Sequence, residues 1–465
     1  MGTVDGMSLY TTTNPATGET LKEFDTLDDA GVQDALATAQ KGFESWRDKS
    51  VEERADVLRA VAKAYDERAD ELARQVATEM GKPLNQATGE LKLCSMIYSY
   101  YAEHGPELLA DQPLDRMGAE TTLVRRSPVG VLLGIMPWNF PHYQVARFAA
   151  PNLLAGNTIL LKHAPICAGS AELIADVLHT SGVPQDAYVN VFLTNEQASD
   201  VIADPRVQGV SLTGSERAGA AVAEIAGKNL KKVVLELGGS DPFIVLDDAD
   251  VDGVVKAAAM GRMMNCGQAC NAPKRMIVAD AIYDEFVEKL TASVSGMSTG
   301  DPLEEGTLVG PLSSKSAADG LMEQIQNAID EGATVRAGGK AVDGPGAFVE
   351  PTVLTDITPD MRAFSEELFG PVAVVYKAGS VDEAVELANT SSYGLSGSVW
   401  SSDADAAQSV AERLDVGMSY VNEHGTTLPG LPFGGVKRSG FGRELGPWGL
   451  DEFVNKKLVR VSAAK

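Results

Sequence analysis

The chain has 465 residues, of which 44% are hydrophobic, and a formal net charge of −26. Such a composition supports large buried cores in two or three domains, or one domain with additions, and argues against disorder, and the negative excess repels phosphate backbones, so nucleic acid is not an expected partner. The longest apolar run, Val129 to Met136, falls far short of the roughly 18–20 residues that span a bilayer.

In chain order, the opening stretch Met1 to Tyr10 carries neither a basic nor an apolar export signal, which points to a cytoplasmic protein. The first third reads as helical. Val32, Leu36, Ala39 and Phe43 recur at helical spacing before Trp46. Ser50 with Glu53 forms a capping-box signature, and Leu58, Val61, Tyr65, Leu72 and Val76 give the following helix an apolar stripe that runs to Gly81 and Pro83. A further helix passes through Leu91 and Tyr98. From Val129 the rhythm changes to strands at 129–135, 158–162, 189–193, 207–213 and 232–237, with helices between them, including one at 168–180. A second alternating region runs from Asp250 to Val421. This alternation predicts an α/β fold with parallel sheets, whose ligands bind beyond the carboxyl ends of the strands.

Four segments carry candidate chemistry. The loop Asn265-Cys266-Gly267-Gln268-Ala269-Cys270 offers a thiol able to attack a carbonyl once ionised, against the ordinary alternative of a buried structural cysteine. Glu236, followed by Leu237-Gly238-Gly239 at a strand end, is a candidate general base or a merely solvated carboxylate. Pro137-Trp138-Asn139-Phe140-Pro141 holds an amide between two prolines, fit either to stabilise an oxyanion or only to make a rigid turn. Thr213-Gly214-Ser215-Glu216-Arg217-Ala218-Gly219, between strand and helix, offers backbone N–H groups to a pyrophosphate or is an ordinary helix start. The four cysteines form no CxxC pair and read as reduced thiols, and the five dispersed histidines suggest no catalytic metal.

Taken together with Asn14-Pro15-Ala16-Thr17-Gly18, Leu161-Lys162, Glu366-Glu367-Leu368-Phe369-Gly370-Pro371, Pro432-Phe433-Gly434-Gly435 and Phe441-Gly442-Arg443-Glu444, these segments resemble the aldehyde dehydrogenase superfamily along nearly the whole chain. The resemblance implies a Rossmann-type cofactor domain (1–119 and 129–238), a catalytic α/β domain (239–438) and oligomerisation segments (120–128 and 439–465) that join a homodimer or homotetramer. It implies Cys270 as nucleophile, Glu236 as the base that activates water, and Asn139 with the Cys270 backbone N–H as oxyanion donors. Lys162 would hold the adenosine ribose, Ser215 with Gly214 and Gly219 the pyrophosphate, Glu367 the nicotinamide ribose, and Phe369 the nicotinamide end, with Trp138 a further cofactor contact. An aldehyde would then leave as a free acid by way of a Cys270 thioester, its hydride passing to the nicotinamide.

Within the superfamily the chain is most similar to bacterial succinate-semialdehyde dehydrogenases. Arg147, eight residues after Asn139, stands where such relatives grip the substrate carboxylate, and Phe433 would also contact substrate. A second arginine found in some relatives is replaced by Met264, which leaves glutarate semialdehyde or a broad range of neutral aldehydes open. Pro165 occupies the place of a glutamate that favours NAD in many relatives, so NADP is expected to be accepted, drawn by Lys162 and His163, with NAD also admitted. Cys266 is either a filler residue or the partner of Cys270 in a reversible disulfide. A non-catalytic member of the superfamily is disfavoured by the presence of Cys270, Glu236 and Asn139 together.

Overall fold

The computed structural model describes residues 10–462; apart from Tyr10, the opening stretch from which a cytoplasmic location was read lies outside them. Two large sheets dominate. The first has six strands in the order Gly440–Phe441, Lys232–Glu236, Val207–Thr213, Val131–Met136, Thr158–His163 and Tyr188–Asn190. All are parallel except the Gly440–Phe441 edge. The chain goes from Val131–Met136 to Thr158–His163 on one side and reaches Val207–Thr213 on the other. The strand order reverses at Val131–Met136, so a crevice opens at its carboxyl end, where Pro137 begins. Apolar clusters cover both faces of this sheet, one built on Trp46, Tyr65, Tyr98 and Phe148 and the other on Leu133, Val210 and Leu212.

The second sheet has seven strands, in the order Thr334–Ala337, Thr352–Thr355, Val372–Ala378, Pro273–Ala279, Asp241–Val245, Ser396–Trp400 and Met418–Val421. Only its Thr334–Ala337 edge is antiparallel. A smaller antiparallel sheet pairs Val454–Val461 with Thr121–Pro128 along eight residues and adds Gln112–Pro113.

Several local expectations fall in place. The helix Ala168–Thr180 and the strand Val207–Thr213 occupy the expected residues. The capping box forms, with the Ser50 side chain accepting from Glu53 N–H and the Glu53 carboxylate from Ser50 N–H. The differences have local causes. A Thr-rich hairpin, Tyr10–Thr13 with Thr20–Phe24, precedes the helices of the first third, closed by Asn14 N–H to Glu19 O at 2.8 Å and by Gly18 at φ +78°. The stripe from Leu58 to Val76 spans two helices, Val51–Glu67 and Ala69–Met80, because Arg68 leaves helical geometry at φ −107°, ψ 13°. Its apolar face stays continuous, so periodicity alone hides the break. The strand near 189–193 is only Tyr188–Asn190. Gly440–Phe441 joins the six-stranded sheet beside Glu236 rather than the sheet of Val454–Val461.

Candidate active site

Strand Val131–Met136 ends in the turn that carries Asn139, and Pro141 opens helix Pro141–Ala155. No N-cap side chain serves that helix. Instead the buried Glu90 carboxylate accepts His142 N–H at 2.9 Å and Tyr143 N–H at 3.0 Å, and is itself ion-paired to buried Lys82. This satisfies donors that every helix start leaves orphaned. Asn139 is thereby fixed, with its Nδ2 donating to Gln268 O at 3.1 Å and its carbonyl accepting from Asn265 Nδ2 at 2.8 Å. One amide proton engages Gln268, which leaves the second available beside the Cys270 loop.

That loop is wound the unusual way. Asn265, Cys266 and Gly267 all have left-handed backbone, at φ 53°, 53° and 71°. For the two non-glycine residues this costs about 1–2 kcal/mol each. Hydrogen bonds on every side offset the strain. Asn265 N–H donates to Gln86 Oε1 at 2.7 Å, Ser313 N–H to Gln268 Oε1 at 2.9 Å, and Arg262 Nη1 to Gly267 O at 3.0 Å. Cys270 emerges half-buried. Burial pushes its thiol up to about 11, against the pull of Lys274 and Arg147 and with that of Glu236 and Asp241. The Cys266 thiol is fully enclosed and driven to about 12 by the same cause.

A cavity of about 290 Å³ gathers Trp138, Asn139, Ser215, Cys270, Glu367 and Phe369 on its wall. Trp138 and Phe369 meet edge to face at 5.7 Å. Glu236 stands behind this wall rather than in it. It is 2% exposed, and neither carboxylate oxygen has a hydrogen-bond partner. Burial raises its pKa well above the ordinary range, with Arg147 opposing and Glu444 adding to the rise. Gly434, at φ +152°, packs against it, and a Cβ there would stand 2.8 Å from Glu236 Oε1.

A second cavity of about 270 Å³ includes Lys162, Asn195, Ser199 and Arg217 and has no acidic residue on its wall. Lys162 is buried, which lowers its pKa. Ser215, on the wall of the first cavity, is the N-cap of helix Glu216–Lys228, whose first turn lines the second, and accepts Ala218 N–H at 3.3 Å. Gly219 lets that helix approach closely, since a Cβ would fall 2.6 Å from the Leu237 side chain. The donor set fits a phosphorylated dinucleotide: cations at one end, a helix start in the middle, and the Glu367 carboxylate and two aromatic rings at the other. Arg217 escaped the sequence reading. Its signal was a cation in a first helical turn, where the helix dipole disfavours positive charge.

Several expected residues sit in settings that the sequence does not show. Arg147, expected to grip a substrate carboxylate, is 1% exposed and ion-paired to Glu444, with Nη1 donating to Tyr143 Oη at 3.2 Å and Nη2 to Thr213 Oγ1 at 3.3 Å. Burial works against its charge, but Glu444, Tyr143, Glu236 and Cys270 together outweigh it and hold the guanidinium ionised. Phe433, expected to contact substrate, is 3% exposed and lies over that guanidinium at 4.4 Å. His163 is fully buried beside Pro141 O at 3.0 Å, and burial lowers its pKa to about 4, so it is neutral and attracts no phosphate. Arg262 is buried and spent on the carbonyls of Val372, Gly267 and Leu368. Among the described residues no group of His, Cys, Asp and Glu is arranged to hold a metal, and no helix is long and apolar enough to cross a membrane.

The sequence profile of the aldehyde dehydrogenase family matches residues 4–459. A Deinococcus radiodurans protein named succinate-semialdehyde dehydrogenase [NADP(+)] is 56% identical over 98% of this chain and 95% of its own length. A Mycobacterium avium protein of the same name is 45% identical over 98% and 97%. The crystal structure of a succinic semialdehyde dehydrogenase from Streptococcus pyogenes, in complex with NADP+, superimposes with a TM-score of 0.96 at 44% identity, covering 98% of this chain and all of that one.

Proposed function

The chain belongs to the aldehyde dehydrogenase family, and from that premise we propose that it oxidises succinate semialdehyde to succinate with NADP. The observation that carries the reading is the cavity on which Cys270, Asn139 and Glu367 meet, with the acid-free cavity of Lys162 and Arg217 beyond Ser215. The names of the relatives in Deinococcus and Mycobacterium support the substrate and the cofactor. Lys162 and Arg217 are the cations suited to the extra phosphate that distinguishes NADP from NAD.

The roles follow from the geometry. Cys270 Sγ, once deprotonated, adds to the aldehyde carbon. The second Asn139 amide proton and the Cys270 backbone N–H receive the alkoxide that forms. The dinucleotide, when bound, supplies the acceptor for the hydride lost from that carbon. The acyl group then rests on Cys270 as a thioester. Glu236 takes the proton of the water that hydrolyses it, acting as general base. For this it must swing from behind the wall toward Cys270. Ser215 and the start of its helix bind the pyrophosphate, Glu367 the nicotinamide ribose, and Trp138 and Phe369 flank the ring.

A second reading, a broad-range aldehyde dehydrogenase, is favoured by one observation: Arg147 is already engaged by Glu444. Comparing kcat/KM for succinate semialdehyde, hexanal and benzaldehyde, each with NADP and NAD, decides between them. A preference for succinate semialdehyde with NADP is expected; equal values for all three aldehydes would overturn it. A cytoplasmic homodimer or homotetramer completes the proposal. It is supported by the free cysteines and by Leu458 and Val461, exposed at 61% and 46% on the Val454–Val461 strand, and light scattering checks the oligomer. The division into cofactor (1–119, 129–238) and catalytic (239–438) domains belongs to the same proposal, with Gly440–Phe441 added to the cofactor sheet.

A further inference from the structure

One buried ammonium joins three segments of the site. Lys274 lies in strand Pro273–Ala279, four residues after Cys270, and is 2% exposed. Its Nζ donates to Ala269 O at 2.8 Å and to Cys270 O at 2.6 Å, and ion-pairs with Glu367 Oε1 at 3.1 Å. These contacts use all three ammonium donors. The same Glu367 oxygen accepts Gly239 N–H at 3.1 Å. Gly239 in turn abuts the nucleophile loop, where a Cβ would stand 2.6 Å from Cys270 O. The contacts close a ring from Gly239 through Glu367 and Lys274 to Cys270 and back. It ties together the segment that follows Glu236, the strained thiol loop and the carboxylate assigned to the nicotinamide ribose.

We propose that Lys274 is a positioning residue that couples Cys270 to the cofactor seat, so that a ligand engaging Glu367 changes the reactivity of the thiol through this ammonium. The proposal rests on the reading of Cys270 as nucleophile and Glu367 as ribose ligand. The charged groups facing Cys270 are Lys274 and Arg147, which favour the thiolate, and Glu236 and Asp241, which oppose it. Arg147 is already paired to Glu444, so Lys274 is the cation whose field is open to change. When Glu367 turns toward ribose hydroxyls, the ammonium is less compensated and the thiolate is favoured.

The test is Lys274→Met, which keeps the stem and removes the charge. Iodoacetamide alkylation of the full chain is followed from pH 6 to 10, with and without NADP, with Cys270→Ala as the blank. Thermal midpoints and the Kd for NADP are measured in parallel. Alkylation at pH 8 should slow about tenfold, the equivalent of one pH unit. The acceleration by NADP expected in the parent should vanish, and Lys274→Arg should recover part of both effects. Unchanged alkylation and an unchanged NADP response in Lys274→Met would overturn the proposal. So would equal losses in the Met and Arg variants that track their melting temperatures, since packing alone would explain them. If Lys274→Met does not fold, Glu367→Gln approaches the ring from its other end: loss of the NADP response supports the coupling, and its retention refutes it. Failure of the underlying reading looks different, since Cys270→Ala would then still turn over.

Discussion

Replacing Arg147 with Met leaves the Glu444 carboxylate buried without its cation. Glu444 is 5% exposed, and burial already raises its pKa despite Arg147. The cheapest response of the orphaned carboxyl is to keep a proton. Starting from its ordinary value of 4.5, holding that proton at pH 7 costs at most about 3.4 kcal/mol, at about 1.4 kcal/mol per pH unit. This lies within the range of about 3–5 kcal/mol seen when one partner of a buried pair is removed. The sign follows from a folded-state pKa raised above the unfolded one. The added penalty is absent below about pH 4.5, grows as pH rises, and levels off once the folded-state group ionises. For a chain of this size we expect the thermal midpoint to fall by several degrees at pH 7.5 and by much less at pH 5, and Arg147→Met/Glu444→Gln to recover most of the loss. In kinetics, kcat/KM for succinate semialdehyde and for hexanal should fall by similar factors. The reasoning is refuted if KM for succinate semialdehyde alone rises tenfold while the melting temperature holds, because Arg147 would then be reaching the substrate carboxylate.

Other outcomes follow from the same site. Cys270→Ala should abolish turnover while changing the Kd for NADP by less than about threefold, checked by steady-state assay and calorimetry. Glu236→Gln should give a burst of NADPH followed by slow turnover, because the thioester waits for water; stopped-flow absorbance resolves the two phases. Because burial lifts the Cys270 thiol to about 11, its alkylation in the free enzyme should rise close to tenfold per pH unit between pH 7 and 10, and a plateau near pH 8 would contradict that environment. Arg217→Glu places an anion in the Lys162 cavity and should lower the NADP-to-NAD ratio of kcat/KM by at least about tenfold, read directly from initial rates.

Much of the site is legible in the sequence because its parts are local. A strand end followed by proline-flanked Asn139, a strand end followed by Glu236 and two glycines, and a Ser215 helix start are patterns of a few residues whose meaning is set by strand periodicity and turn chemistry. These determine the α/β alternation, the crevice side of the sheet and the residue types at its mouth. Arg217 carried a local signal, a cation against a helix dipole, but only the cavity gives it meaning.

What the tertiary structure decided are pairings between residues far apart in the chain. Arg147 is placed by its spacing from Asn139, but its partner Glu444 comes from the distant Phe441-Gly442-Arg443-Glu444 segment, and the two pair inside. Lys274 carries no motif, and its significance comes from Glu367 and Gly239 converging on one ammonium. The left-handed Asn265 is held by Gln86 and Asn139, partners that no local window contains. Local propensity and periodicity write the elements and the reactive residues into the sequence. Which charges remain free to act is an electrostatic question of distance and burial, and only the packing of distant segments answers it.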